Sequence, residues 1–90
     1  MEFEWDEAKD AANRAKHGVG LGDAARMEWK TAQEEPDLRF DYRERRTIAT
    51  GLIEGRLFVC VFTLRNGRKR IISLRKANSR ERRDYGTRND

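Results

Sequence analysis

Between Arg45 and Lys76 apolar and polar residues form three β-rich runs separated by two glycine turns. Asn66-Gly67 is the strongest local signal for a tight type I′ hairpin, and Glu54-Gly55 is a weaker one. Together they predict an antiparallel meander of three strands over about 45–53, 56–64 and 68–76. Upstream, Phe3-Glu4-Trp5 reads as a short strand. Asp6 is a good N-cap for a helix that carries Glu7 in its first turn and an alanine stripe at Ala8, Ala11, Ala12 and Ala15. Gly18 stops that helix, which places Lys16 and His17 in its last turn. A second short helix is expected over about Leu21 to Glu28, and the polar residues 30–41 read as a connecting loop. Asn78 followed by Glu81 has the spacing of a capping box and opens a final helix. The fold expected for a single domain over 1–90 is therefore α+β: an antiparallel sheet, two N-terminal helices and one C-terminal helix.

The two turns also predict a register. If each pair of turn residues closes its loop, Val61 faces Ile48 and Ile72, Val59 faces Leu74, Leu52 faces Leu57, and Glu44 faces Arg65. One sheet face is then apolar at one end (Leu52, Leu57, Val59, Ile48, Val61, Ile72, Leu74). The same face turns polar at the other end (Glu44, Arg46, Thr63, Arg65, Arg68, Arg70). The opposite face carries Phe58, Cys60, Phe62, Leu64 and Ile71, with Ser73 and Arg75. A slip of one residue would exchange these sets.

A chain of 90 residues is too short for a large internal cavity to be expected, so an active site should lie on an open face. The net charge of +4 hides an asymmetry: residues 1–37 carry 5 Lys/Arg against 10 Asp/Glu, and residues 38–90 carry 15 against 6. A basic C-terminal half suggests a polyanion partner. One Cys and one His cannot build a structural zinc site, and neither a phosphate loop nor a nucleophile elbow is present. No metal or other cofactor is expected. A single Cys60, an acidic N-terminus and no apolar run near 20 residues point to a cytoplasmic protein without a membrane span.

Arginines, lysines, one histidine and a few glutamates remain. That set suits RNA cleavage without metal, because RNA supplies its own nucleophile, the 2′-OH. The protein needs a base near that hydroxyl, cations for the charge on the phosphate oxygens, and an acid at the leaving 5′-oxygen. His17 either exchanges a proton with substrate or complements the helix dipole, and Lys16 has the same two readings. Glu44 among Arg65, Arg46 and Arg70 is either a base held between phosphate-binding cations or a solvated ion pair. Arg75 and Lys76 are candidate phosphate ligands at a strand end. Arg80 and Arg82 lie on the last helix as a solvated face or as a contact for RNA or a protein partner. Tyr85 either stacks a base or packs in the core. The expectation uniting these residues is that the two hairpins gather their guanidinium groups into one exposed pocket.

The chain resembles the BrnT toxin family. The resemblance rests on Phe3-Glu4-Trp5-Asp6 with Lys9 and Asn13, on Lys16-His17-Gly18, and on Asp41-Tyr42-Arg43-Glu44-Arg45-Arg46. It continues through Gly51, Gly55-Arg56, Thr63, Arg65, Arg70-Ile71-Ile72-Ser73, Arg75-Lys76-Ala77, Arg80-Glu81-Arg82 and Tyr85. Only residues 20–40 lack a counterpart. It implies a RelE-like fold and an endoribonuclease that arrests translation. It also implies a DNA-binding antitoxin resembling BrnA, two of which form a heterotetramer with two toxins, so that operator DNA is reached only through the antitoxin. The active-site positions it implies are His17, Glu44, Arg65, Arg75 and Lys76. Arg43 departs from the pattern, which has a small residue there, usually glycine. The alternative function is a non-catalytic, basic nucleic-acid-binding module; a weaker third is a pure interaction protein with an acidic partner.

Overall fold

Five strands hydrogen-bond in the order β1-β5-β4-β3-β2 in the computed structural model, which describes residues 2–88. The ends of the expected 1–90 domain thus lie outside the described residues. The strands are β1 (Phe3–Trp5), β2 (Gln33–Pro36), β3 (Arg46–Ile53), β4 (Arg56–Arg65) and β5 (Arg68–Lys76); the α-helices are α1 (Glu7–His17) and α2 (Ser79–Arg88). The sheet is mixed rather than purely antiparallel, because β1 enters the edge beside β5 in the parallel sense. Residues 30–41 are not simply a loop: Gln33–Pro36 pairs antiparallel with β3 as the opposite edge. Its polar, proline-ended sequence lacks the alternation that marks a half-buried strand, and neighbouring β3 supplies its hydrogen bonds. The second N-terminal helix is a 3₁₀ segment, Leu21–Arg26, not an α-helix. Both hairpins close as expected, with left-handed backbone at Glu54-Gly55 and Asn66-Gly67.

The core lies on one face, where Phe58, Cys60, Phe62, Ala49, Ile71 and Leu74 meet Leu21, Ala24 and Met27, flanked by Trp5 and Trp29. Helix α1 contributes to this layer in an unexpected way. Asp6 and Gly18 cap it as the sequence predicts, but Ala8, Ala11, Ala12 and Ala15 face solvent and the buried positions are Asp10 and Asn13. Methyl groups offer little area to bury, whereas these two polar side chains satisfy backbone groups that would otherwise be stranded. Asp10 accepts the Leu21 N–H at 2.7 Å and the Arg14 Nε–H at 3.0 Å, which hold its carboxyl below the usual range. The Asn13 amide donates to the carbonyls of Leu74 at 2.8 Å and Val19 at 2.9 Å, and its oxygen accepts the Leu74 N–H at 3.2 Å. Pairing between β1 and β5 ends at Trp5 opposite Ile71, and Asn13 takes up the edge of β5 beyond that point.

The β4–β5 register matches expectation near the turn, with Arg65 opposite Arg68 and Thr63 opposite Arg70, and then breaks. A bulge between Val61 and Phe62 leaves Phe62 opposite Ile71 but Val61 opposite Ser73, so Ile72 is the extra residue. Beyond it, Leu74 pairs with Cys60 and turns into the core, while Ser73 and Arg75 share the opposite face with Val61 and Val59. The face sets expected for this half of β5 are therefore exchanged. Packing Leu74 is the physical reason: it is 0% exposed, as is Cys60 opposite it.

Replacing Asn13 with alanine should lower unfolding free energy by about 3 kcal/mol, since the N–H and C=O of Leu74 both lose their partner; urea denaturation reads this. Arg43 has φ +58°, in the left-handed region where glycine is favoured. Arg43→Gly should therefore stabilise the protein by up to about 1 kcal/mol in the same assay.

Candidate active site

The face exposed by the bulge forms an open cleft. Two cross-strand rows make its floor: Gln33, Thr50, Val59 and Arg75, then Glu35, Ile48, Val61 and Ser73. Arg39 closes one side from the β2–β3 loop, and Glu81, Asp84 and Tyr85 of α2 close the other. Leu57, Val59 and Ala77 form a small second apolar cluster under Tyr85, whose hydroxyl donates to the Thr31 carbonyl at 3.1 Å. Tyr85 thus fastens α2 over one end of the cleft.

Arg75 is held from α2. Its two terminal nitrogens donate to both Glu81 oxygens at 2.8 Å, and one of them also donates to the Lys76 carbonyl at 3.3 Å. That ion pair lifts the Arg75 pKa and depresses that of Glu81. Glu81 also accepts the Asn78 N–H at 2.9 Å while the Asn78 side chain accepts the Glu81 N–H at 2.8 Å, which completes the expected capping box. A guanidinium has five N–H groups, so Arg75 keeps two for another acceptor. His17 is half-buried at the end of α1. Burial first, then the charges of Lys16 and Arg75, push its pKa below 6.5, so near neutral pH it is an uncharged imidazole.

A second guanidinium arrives by a different route. The Asp37 carboxylate, 0% exposed, accepts Arg39 Nε–H and a terminal N–H at 2.8 Å each, and the Arg39 backbone N–H at 3.2 Å. The Asp37 N–H donates to the Arg46 carbonyl at 2.8 Å, which ties this loop to β3. Arg39, with the Tyr42 hydroxyl in support, holds the Asp37 carboxyl far below its ordinary 3.8.

The residues singled out in the sequence do not share one pocket. Arg75 and Tyr85 line the cleft; His17, at the end of α1, does not line it but feels the charge of Arg75 and of its neighbour Lys16. Lys76 and Arg82 line an adjoining hollow with Leu52, Leu57 and Tyr85. Arg80 is exposed on α2. Arg65 stands at the tip of the β4–β5 hairpin, six residues along β4 from the partner of Arg75, about 20 Å at roughly 3.3 Å per residue. Glu44 precedes β3 instead of facing Arg65, and pairs with Arg46 at 2.8 Å; the Arg46 guanidinium also lies 3.9 Å from the Tyr42 ring. Arg70 pairs with Glu4 at 2.8 Å and Arg68 with Glu2 at 2.9 Å, so acidic residues on and beside β1 answer these cations. Hairpin closure alone does not bring Arg65 and Arg75 together, because they lie at opposite ends of long strands.

Sequence reasoning missed Arg39, Gln33, Glu35 and Asp84. The first three lie in the segment read as a loop; Asp37-Leu38-Arg39, with carboxylate and guanidinium two residues apart, was the available signal for the clamp. Two buried reactive groups belong to the core instead. Burial pushes the Cys60 thiol up to about 12, and the Lys69 ammonium rests 3.4 Å from the centre of the Trp29 ring with its pKa lowered by burial.

The family model for BrnT, the ribonuclease toxin of type II toxin–antitoxin systems, matches residues 5–81. The chain belongs to the BrnT family. No curated protein sequence matches it. BrnT membership makes it a ribonuclease toxin and implies an antitoxin partner. Among the described residues, no helix is long and apolar enough to cross a membrane. The match takes in α1, the Asp37 loop, the bulged strand and the start of α2, so every wall of the cleft lies at least partly within the part of the chain that defines a BrnT toxin.

The Asp37 clamp should show in acid. Its carboxyl ionises more readily folded than unfolded, so the unfolded chain binds more protons below about pH 4. Its stabilisation is complete above that pH and is lost as pH falls through the depressed folded value. Urea midpoints measured from about pH 6 to pH 2 should therefore fall less steeply for Asp37→Asn than for wild type.

Proposed function

We propose that this BrnT-family toxin is a metal-independent endoribonuclease of RelE-like fold whose active site is the cleft floored by Val59, Val61 and Ser73. The observation that carries this reading is Arg75, a cation fixed by Glu81 on an open cleft, with the imidazole of His17 at the end of α1 within reach of its charge. Neutral His17 takes the proton of a ribose 2′-OH, and the freed oxygen attacks the adjacent phosphorus to form a 2′,3′-cyclic phosphate. The bond to the 5′-oxygen breaks, and that oxygen takes up a proton from solvent at the open mouth of the cleft. The free N–H groups of Arg75 meet the charge building on the phosphate oxygens. Tyr85 offers a ring edge to a neighbouring base, while Lys16, Lys76, Arg80 and Arg82 draw in the flanking backbone.

Under this reading Arg65, Arg46 and Arg70 act outside the chemical step, as a distant RNA-contacting rim, and Glu44 orients Arg46. RNA cleavage accounts for arrested translation in the cytoplasm. A BrnA-like antitoxin, paired with the toxin two to two, silences the cleft and supplies all contact with operator DNA.

Purified protein should cleave single-stranded RNA in excess EDTA and leave 2′,3′-cyclic phosphate ends. Arg75→Ala should slow that cleavage by about 100-fold or more with the fold retained by circular dichroism. An undiminished rate in Arg75→Ala would place the chemistry elsewhere. RNA binding with no cleavage would favour the non-catalytic nucleic-acid-binding module.

A further inference from the structure

We infer that Arg39 is a second phosphate-binding guanidinium of this cleft and that Asp37 is the residue that positions it. The inference rests on the cleft being the RNA site, and it adds a ligand to that site from the β2–β3 loop. Arg39 lines the same cleft as Arg75, close enough that its charge opposes that of Arg75. Its side chain is 60% exposed although the carboxylate holding it is wholly buried. An exposed arginine ordinarily sweeps many rotamers. Here the Nε–H and one terminal N–H are fixed on Asp37, leaving three N–H groups in a set direction.

Stability accounts for pairing the Asp37 carboxylate, but not for leaving the rest of its partner's guanidinium open to the cleft. What the clamp achieves is a guanidinium already ordered before any anion arrives, which spares the entropy of fixing it on binding. Among residues 37–41 only Arg39 lines the cleft, whereas Asp37, Leu38, Phe40 and Asp41 line the neighbouring hollow with Tyr42 and Arg46. Arg39 and Arg75 thus reach the same cleft from different elements, one from the β2–β3 loop and one from the β5 edge of the floor. A single RNA strand lying between them places successive phosphates against two preset forks.

The test uses a fluorescent single-stranded 2′-O-methyl RNA, which binds but cannot be cleaved because its 2′-oxygen is blocked. Its affinity is measured across a salt series for wild type, Arg39→Ala, Arg39→Lys, Asp37→Asn and Arg75→Ala. Arg39→Ala should weaken binding about 10-fold and reduce the slope of log K against log salt by about 0.7, as for one lost phosphate contact on a single strand. Arg39→Lys should restore the slope but not the affinity, since an ammonium cannot take the fork geometry. Asp37→Asn should weaken binding with the slope unchanged, because the charge remains while its direction is lost. Should Arg39→Ala unfold, the double variant Asp37→Leu/Arg39→Ala removes both partners without stranding a charge, and circular dichroism verifies its fold. Wild-type affinity and slope in the folded Arg39 variants overturn the inference. If Arg75→Ala also binds as wild type, the cleft is not the RNA site and both readings fall. If Arg75→Ala alone loses affinity, only the role of Arg39 falls.

Discussion

Leu74 is the residue on which the arrangement turns. Its side chain is sealed in the core, both its backbone polar groups are met by Asn13, and the bulge one residue upstream of Ser73 lets it face inward. A regular ladder would have put Leu74 on the cleft floor and Arg75 under α1. A charged side chain there would sit among Phe58, Cys60 and Leu21 in the apolar core. The helix, the bulge and the position of Arg75 are therefore one structural decision. They are made by an asparagine that stands in for the peptide group β1 no longer provides.

Charge follows the same economy. The acidic first 37 residues and the basic remainder look like a polyelectrolyte pattern along the chain, yet in space they partly cancel. Glu2 and Glu4 meet Arg68 and Arg70 across the β1–β5 edge, and Arg26 reaches Glu54 at the other hairpin. The cleft itself mixes signs, with Glu35, Glu81 and Asp84 beside Arg39 and Arg75. Recognition there depends on a few oriented donors more than on a broad positive field, because exposed charges are screened within about 10 Å at ordinary salt.

What could be read from the residues followed local rules. The two I′ turns, the Asp6 and Asn78 caps, the Gly18 stop and the three long strands each depend on a handful of neighbouring positions, and each is where the pattern put it. The exceptions needed distant partners. β2 is a strand only because β3 lies beside it, the alanines of α1 are outside because Asp10 and Asn13 had buried work to do, and the β5 register shifted to bury Leu74. The expected single pocket did not form, because Glu44 was set opposite Arg65 by a register carried past the start of β3, and Arg65 and Arg75 stand at opposite ends of long strands. Arg75 and Tyr85 do line the cleft, though its walls include residues no local pattern marked.

Glu81 answers to two masters. One of its oxygens closes the first turn of α2 on Asn78, and both grip Arg75. The helix is otherwise poorly provided for: it is mostly charged, has a glycine at Gly86, and holds the sheet mainly through Tyr85. An anion that meets the free N–H groups of Arg75 is therefore joined, through a single carboxylate, to the first turn of the helix that covers the groove.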